Sequence, residues 1–259
     1  MSADAMDSDE SLITKSDRAV EFFRNRLPVM VLTGAGISVE SQVPPFRGPG
    51  GLWERYDPYE YGHIDTFRSN PERTWVMLRE IIEGAICSKP NDAHLALARM
   101  EERGWIRPLV TQNVDGLHRM AGSKDLLEVH GNARRIYCPE CGKEEMIDGA
   151  TWSSFRMRCN CGSIKRPDIV FFGEGLPEMA ISRAFDLAYQ GADMIVVGTS
   201  GVVQPVASLP PIARSNGGRI VEVNSGSLEL TGRYSDILIQ AEATRGMTAL
   251  ESAFERAGL

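Results

Sequence analysis

Cys138, Cys141, Cys159 and Cys161 form a C-x2-C…C-x-C set, with His130-Gly131 shortly upstream. Two thiol pairs separated by residues 142–158, a gap of 17, can supply a tetrahedral zinc site. The second half is one residue shorter than the C-x2-C of an ordinary ribbon, so it calls for a tighter or different turn. Four thiolates leave no open position for water, which makes such a metal structural. Cys87 stands apart and reads as a buried filler.

His130 follows the apolar stretch Leu126-Leu127-Glu128-Val129, and a histidine so placed can act as a general base near neutral pH. Taken alone, a histidine is more often structural. Thr33-Gly-Ala-Gly-Ile-Ser38 can bring a backbone close to a pyrophosphate, although a tight structural turn has the same composition. Gln112, Asn113 and Asp115 offer amide and carboxylate groups to a ribose or a carboxamide, and helix capping is the competing use. Gly198-Thr-Ser200 and Asn224 again place small polar residues after apolar runs. Pro44 to Trp53 is too rich in Gly and Pro for a helix or strand; it reads as a loop whose Phe46 and Arg47 could cover a nucleotide. His118 reads as a surface or packing residue of a helix, and His63 and His94 take no role.

These residues need a frame. The apolar runs Val29–Leu32, Leu109-Val110, Met194–Val197, Ile220–Val223 and Ile237–Ile239 read as buried parallel strands. Helical patterns at 16–26, 71–86, 92–103, 177–189 and 248–257 alternate with them. The alternation predicts a Rossmann-like, doubly wound α/β sheet, with no internal repeat. Residues 46–67 and 131–167 interrupt it and predict a second, smaller lobe. The expected division is a dinucleotide-binding domain from 11–45, 88–130 and 168–259, a loop and helical part at 46–87, and a zinc ribbon at 131–167. Hydrophobic residues make up 42% of the 259, enough for a sizeable core. A net charge of -7 argues against nonspecific binding to nucleic acid and favours basic partners. No run is long enough to span a membrane, and the polar, acidic residues 1–10 read as a frayed tail rather than a signal peptide. Thiols suited to metal rather than disulfides point to the cytoplasm.

Together the motifs resemble the sirtuin family of NAD-dependent protein deacylases, from about Val29 to Asn224. The segments are GAGIS at 34–38, PPFRG at 44–48, TQNVDGLH at 111–118, EVHG at 128–131, the four cysteines, RPDIVFFGE at 166–174 and GTSGVVQPVASLP at 198–210. The resemblance implies that Gly34, Ala35, Gly36 and Ser38 bind the NAD pyrophosphate and that Phe46 and Arg47 belong to a mobile cofactor loop. It gives Gln112, Asn113 and Asp115 the nicotinamide ribose and carboxamide, with Asn113 also positioning the reacting groups. Gly198, Thr199, Ser200, Asn224 and, more loosely, Ala243 fall on the phosphate and adenosine side. Val170, Phe171, Phe172 and Gly173 would pair with an acyl-lysine peptide as an added strand. His130 would be the catalytic base, and Cys138, Cys141, Cys159 and Cys161 would hold one structural zinc. In the implied reaction the acyl oxygen attacks C1′ of the ribose as nicotinamide leaves, and His130 accepts a proton relayed from the ribose hydroxyls. Lysine and 2′-O-acyl-ADP-ribose are released.

The chain also departs from the pattern. Pro45 stands where Thr or Asp is common, and Gly201 replaces a bulky apolar residue, which would widen the acyl channel or loosen the loop. The Tyr-x-x-Arg pair used for succinyl groups is replaced by Leu78 and Ile81, so an acetyl or other uncharged acyl group is expected. The expected partners are acetyl-lysine proteins or peptides, with no nucleic acid and no membrane, and the chain is expected to be a monomer. An ADP-ribosyltransferase and a noncatalytic NAD-sensing module are the competing readings.

Overall fold

The computed structural model describes residues 6–48, 50–226 and 230–259. Nine strands are found among them: β1 Val29–Thr33, β2 Ile106–Thr111, β3 Leu126–Glu128, β4 Gly131–Tyr137, β5 Glu144–Met146, β6 Arg166–Ile169, β7 Met194–Val197, β8 Ile220–Asn224 and β9 Ile237–Gln240. β1, β7 and β8 are buried at every position, as expected of strands covered on both faces.

Six of these strands form one sheet in the order β3-β2-β1-β7-β8-β9, and every pairing within it is parallel. Counted along the chain, this is the doubly wound order 3-2-1-4-5-6, in which the direction of winding reverses between β1 and β7. The helices Asp9–Phe23, Asp92–Glu102 and Ala243–Arg256 contribute to the core on one face. Glu178–Tyr189 and Leu209–Ser215 contribute to the core on the other. Trp105 and Phe254 stack at 5.1 Å within the first of these cores.

The other three strands form an antiparallel sheet ordered β5-β4-β6. Its apolar side packs with the helix Pro71–Cys87, whose Trp75, Leu78 and Ile82 are buried beside Ile136, Ile169 and Phe171. Pro71 starts that helix with the φ it already favours, and the Asn70 side chain accepts from the Arg73 N–H.

Several local expectations change. The first helix starts at Asp9 rather than residue 16, because the Ser8 side chain caps it and Asp9 and Glu10 lie in its first turn, where anions are favoured. Asp7 also pairs with Lys15 and hydrogen-bonds to the backbone of Gln240, so residues 6–10 are not a frayed tail; residues 1–5 lie outside the described set. The last helix begins at Ala243 rather than Thr248. Cys87 is exposed at a helix end, not a buried filler. Gly201 has φ +70°, and a Cβ there would lie 3.0 Å from Leu230 Cγ. The absent side chain therefore leaves room for Leu230 rather than an open channel. Pro49, within the Gly/Pro-rich loop, is outside the described residues.

Candidate active site and metal centre

The switch point of the large sheet lies where β1 and β7 end side by side, and ligands of doubly wound sheets bind in such crevices. Gly34 N–H donates to Val197 O at 3.0 Å and Gly36 N–H to Gly198 O at 2.7 Å. A Cβ on Gly34 would come within 2.8 Å of Thr199 Cβ, and one on Gly36 within 2.6 Å of Gly198 Cα. The two glycines are therefore required for the strand-end loops to touch.

Behind this contact, polar side chains close into a buried network. Asn113 Nδ2 donates to Gly34 O at 3.1 Å and to Ser38 Oγ at 3.2 Å. Ser38 Oγ donates to Asp115 Oδ2 at 2.8 Å, and Asp115 Oδ1 accepts from Leu117 N at 2.9 Å. Burial pushes the Asp115 carboxyl above its ordinary range, against the hydrogen bonds from Leu117 and Ser38. Asn113, Asp115 and Ser38 line a cavity of about 40 Å³ together with Ala35, Pro44 and Ile81, and Phe46 and Leu52 contribute to its wall. Ser38 is thus turned onto the cavity wall, its hydroxyl both donating and accepting there.

Gln112 Nε2 donates to Thr199 Oγ1 at 2.9 Å, and Asn224 Nδ2 donates to Thr199 O at 3.1 Å. Ser200 and Arg47 are exposed. Ala243 is packed into the core, and the neighbouring Thr244 N–H donates to Glu40 Oε2 at 2.8 Å.

His130 sits just past β3, half-buried. Its Nδ1 lies 3.0 Å from Gln112 O. A carbonyl can only accept, so Nδ1 carries the proton and Nε2 is left as the acceptor, the form a general base requires. Burial lowers the His130 pKa below its ordinary value, partly offset by the Gln112 carbonyl. The His130 backbone oxygen accepts from Val170 N at 3.0 Å. In the same segment Phe172 N–H donates to Gly62 O at 2.9 Å, and Phe172 O accepts from Ile64 N at 3.0 Å. The edge of 170–173 facing residues 62–64 is therefore already paired at Phe172, while the Phe172 and Gly173 side of the surface is exposed.

Two residues given no role by sequence reasoning fix this segment. Arg166 is 7% exposed and forks onto Glu174 with two bonds of 2.7 Å; Glu174 also accepts from Phe171 N at 2.9 Å. Their signal was an Arg and a Glu eight residues apart, a spacing that says nothing until the turn between them is known. His94 and His118 form a buried ring pair at 4.7 Å. His118 Nε2 lies 2.9 Å from Thr33 Oγ1, which makes His118 a packing rather than a surface residue. Burial drives the His94 pKa down to about 4 and that of His118 well below its usual value. The capping box of Asn91 and His94 was legible as an N-cap residue followed by a side-chain acceptor three positions on.

The four cysteines meet between two turns. Cys138 N donates to Lys143 O at 2.9 Å and Cys159 N to Ser163 O at 2.8 Å, so the shorter half closes a turn of its own. Gly142 at φ +71° and Gly162 at φ +95° permit these reversals. All four sulfurs lie within 4.8 Å of one another, with Cys138–Cys161 at 3.5 Å and Cys141–Cys159 at 3.6 Å. Zinc–sulfur bonds of about 2.3 Å in a tetrahedron imply sulfur separations of about 3.8 Å, so the set fits the ion.

A profile of the Sir2 family matches residues 34–205. An NAD-dependent protein deacylase of Pyrococcus furiosus is 43% identical over 251 residues, covering 95% of this chain and 96% of that protein. An NAD-dependent protein deacetylase of Thermodesulfovibrio yellowstonii is 41% identical, covering 86% of this chain and 89% of its own. A Sir2 homologue solved with ADP-ribose superposes with a TM-score of 0.83 at 37% identity, covering 96% of this chain and 98% of its own. A Sir2 protein solved with a deacetylated peptide and 3′-O-acetyl-ADP-ribose also gives 0.83, at 36% identity, covering 93% of this chain and 98% of its own. With the glycine contact at the switch point, His130 past β3 and the cluster of four cysteines along a match of this extent, the chain belongs to the Sir2 family.

Proposed function

We propose that this protein is an NAD-dependent protein-lysine deacetylase that transfers the acetyl group of acetyl-lysine to ADP-ribose, releasing nicotinamide and 2′-O-acetyl-ADP-ribose. The observation that carries the reading is His130, held by the Gln112 carbonyl with Nε2 free to accept a proton and joined through its own carbonyl to Val170. NAD is the co-substrate and supplies the ribosyl carbon that receives the acyl oxygen.

The chain's residues divide the work. Gly34, Ala35 and Gly36, with Gly198, Thr199 and Ser200, form the phosphate side of the crevice, and Asn224 and Ala243 lie toward the adenosine. Asn113, Asp115 and Ser38 form a polar wall suited to a carboxamide, and Gln112 reaches the ribose side. His130 accepts the proton. Its lowered pKa keeps it neutral at physiological pH, since a histidine is neutral above its pKa. Phe46 and Arg47 cover the cofactor, and Val170 to Gly173 dock the peptide as an added strand. Holding acyl oxygen and sugar carbon in line supplies much of the acceleration.

The four cysteines hold one structural zinc. We assign the nucleotide to the large-sheet unit of 11–45, 88–130 and 168–259, and the zinc ribbon to 131–167. Leu78 is fully buried and Ile81 lines the cavity, so no guanidinium meets an acyl carboxylate there, which supports acetyl over succinyl. Among the described residues no helix is long and apolar enough to cross a membrane, and we place the enzyme in the cytoplasm as a monomer.

The test is incubation with an acetyl-lysine peptide, with and without NAD, read by mass spectrometry. NAD-dependent appearance of both deacetylated peptide and O-acetyl-ADP-ribose supports the reading. ADP-ribosylated protein without deacetylated peptide would replace it with a transferase.

A further inference from the structure

The two candidate binding segments, the cofactor loop and the peptide strand, come from distant parts of the chain, and one side chain lies between them. The ring of Trp53 is 5.6 Å from that of Phe46 and 5.8 Å from that of Phe172, tilted against both. Phe46 belongs to the cavity wall beside Asn113 and Asp115. Phe172 lies in the segment joined to His130 through Val170.

The contact is built in, not incidental. Leu52 N–H donates to Pro45 O and Trp53 N–H to Phe46 O, each at 3.0 Å, so Trp53 closes the base of the loop that carries Phe46. Gly62 lies under the junction: a Cβ there would sit 3.1 Å from Trp53 Cη2 and 3.4 Å from Phe172 Cδ2. Gly62 also accepts the Phe172 N–H through its carbonyl. Three aromatic rings, a closed loop base and a glycine that leaves room for them make one packed unit from the cofactor cavity to the peptide edge.

We propose that Trp53 is a positioning residue that couples the two sites, so that each ligand, by fixing the aromatic ring it meets, strengthens binding of the other. The physical basis is packing. A peptide laid along 170–173 restricts Phe172, Trp53 then has one seat, and the loop base and Phe46 are held over the cofactor without a further ordering cost. A coupling of this kind is reciprocal: NAD must tighten the peptide by the same factor by which the peptide tightens NAD. The proposal rests on the deacetylase reading for the identity of the two ligands.

The experiment measures calorimetric affinity for an acetyl-lysine peptide with and without a carbocyclic NAD analogue that cannot lose nicotinamide. It compares the native protein with Trp53→Ala and Trp53→Phe. The native protein should bind the peptide about 5- to 150-fold more tightly with the analogue present, the usual range of such couplings. Trp53→Ala should bring that ratio near one, and Trp53→Phe, which keeps a ring in the gap, should restore most of it. A native ratio near one, or a Trp53→Ala ratio equal to the native one, overturns the proposal. Thermal melting of each variant identifies a merely structural role, which would weaken both ligands alike and leave the ratio unmoved, and that result also overturns it. Absence of NAD-dependent deacetylation by the native protein is a separate result and would overturn the functional reading instead.

Discussion

The large sheet and the small three-stranded sheet are held together in different ways. In the large sheet, β1, β7 and β8 are buried along their whole length and helices cover both faces, so apolar packing carries the strands whose ends the polar network joins. In the small sheet, β5 has no buried residue and two of the four cysteines, Cys141 and Cys161, are exposed. Its far end carries the cluster of four cysteines placed to hold a metal, and ion pairs such as Lys165 with Glu145 at 2.5 Å. The difference teaches where precision is placed. His130 and the polar wall of Asn113, Asp115 and Ser38 sit at the end of the large sheet. The segment 170–173 lies on the seam, tied to the large unit at His130 and to the small lobe through Arg166 and Gly62.

The sharpest way to break this comparison is to remove the clip. Structural zinc contributes about 10–16 kcal/mol of apparent binding energy in zinc-finger peptides. Chelation, or Cys159→Ser, should therefore abolish zinc content, amide-exchange protection in 131–167 and deacetylation together, while protection of β1, β7 and β8 persists. Protection of 131–167 that survives in metal-free protein would show that apolar packing suffices in both sheets.

His130→Ala isolates the chemistry from the frame. It should lower kcat by about 10²- to 10⁴-fold, the usual share of a general base, and leave NAD binding and the melting temperature close to native. A loss in melting temperature that matched the loss in rate would make His130 a structural residue of the seam.

Phe254→Ala probes the large core directly. Phe254 is fully buried and stacks on Trp105, and its truncation should cost about 3–5 kcal/mol in denaturant unfolding with one zinc per chain retained. Zinc loss in that variant would mean that the two units unfold as one.

The smallest effect is in pH. Because burial lowers the His130 pKa, the acid limb of kcat/KM should have its midpoint below about 6.5, with activity present above that midpoint and lost below it. A midpoint above that value would place the limb on another group.

Much of the frame could be read from the chain. β7 has the very bounds of its apolar run, and β1 and β8 each extend theirs by one residue, Thr33 and Asn224, because an unbroken apolar stretch between Gly and polar residues has one economical fate in an α/β chain. The thiol cluster was legible for a similar reason: the spacing of donors along a chain limits the turns that can hold them, and two glycine-assisted turns absorb the short C-x-C half. Helix starts were less legible. Ser8 and Ala243 differ from other polar or small residues only through caps and packing that a linear pattern does not display. Cys87 was misread because burial of a helix's last residue depends on what the next element covers.

The sequence by itself determined the central runs of β1, β7 and β8 and the four thiol donors, since each depends on residue type and short spacing, and it singled out His130 through the family motif around it. Only the tertiary structure decided which His130 nitrogen keeps the proton, that Ser38 turns toward Asp115, that Arg166 meets Glu174, and that Trp53 stands between Phe46 and Phe172. Those are contacts between segments up to about 120 residues apart. Their directions follow from how the two sheets and their loops pack, and local sequence carries no record of that.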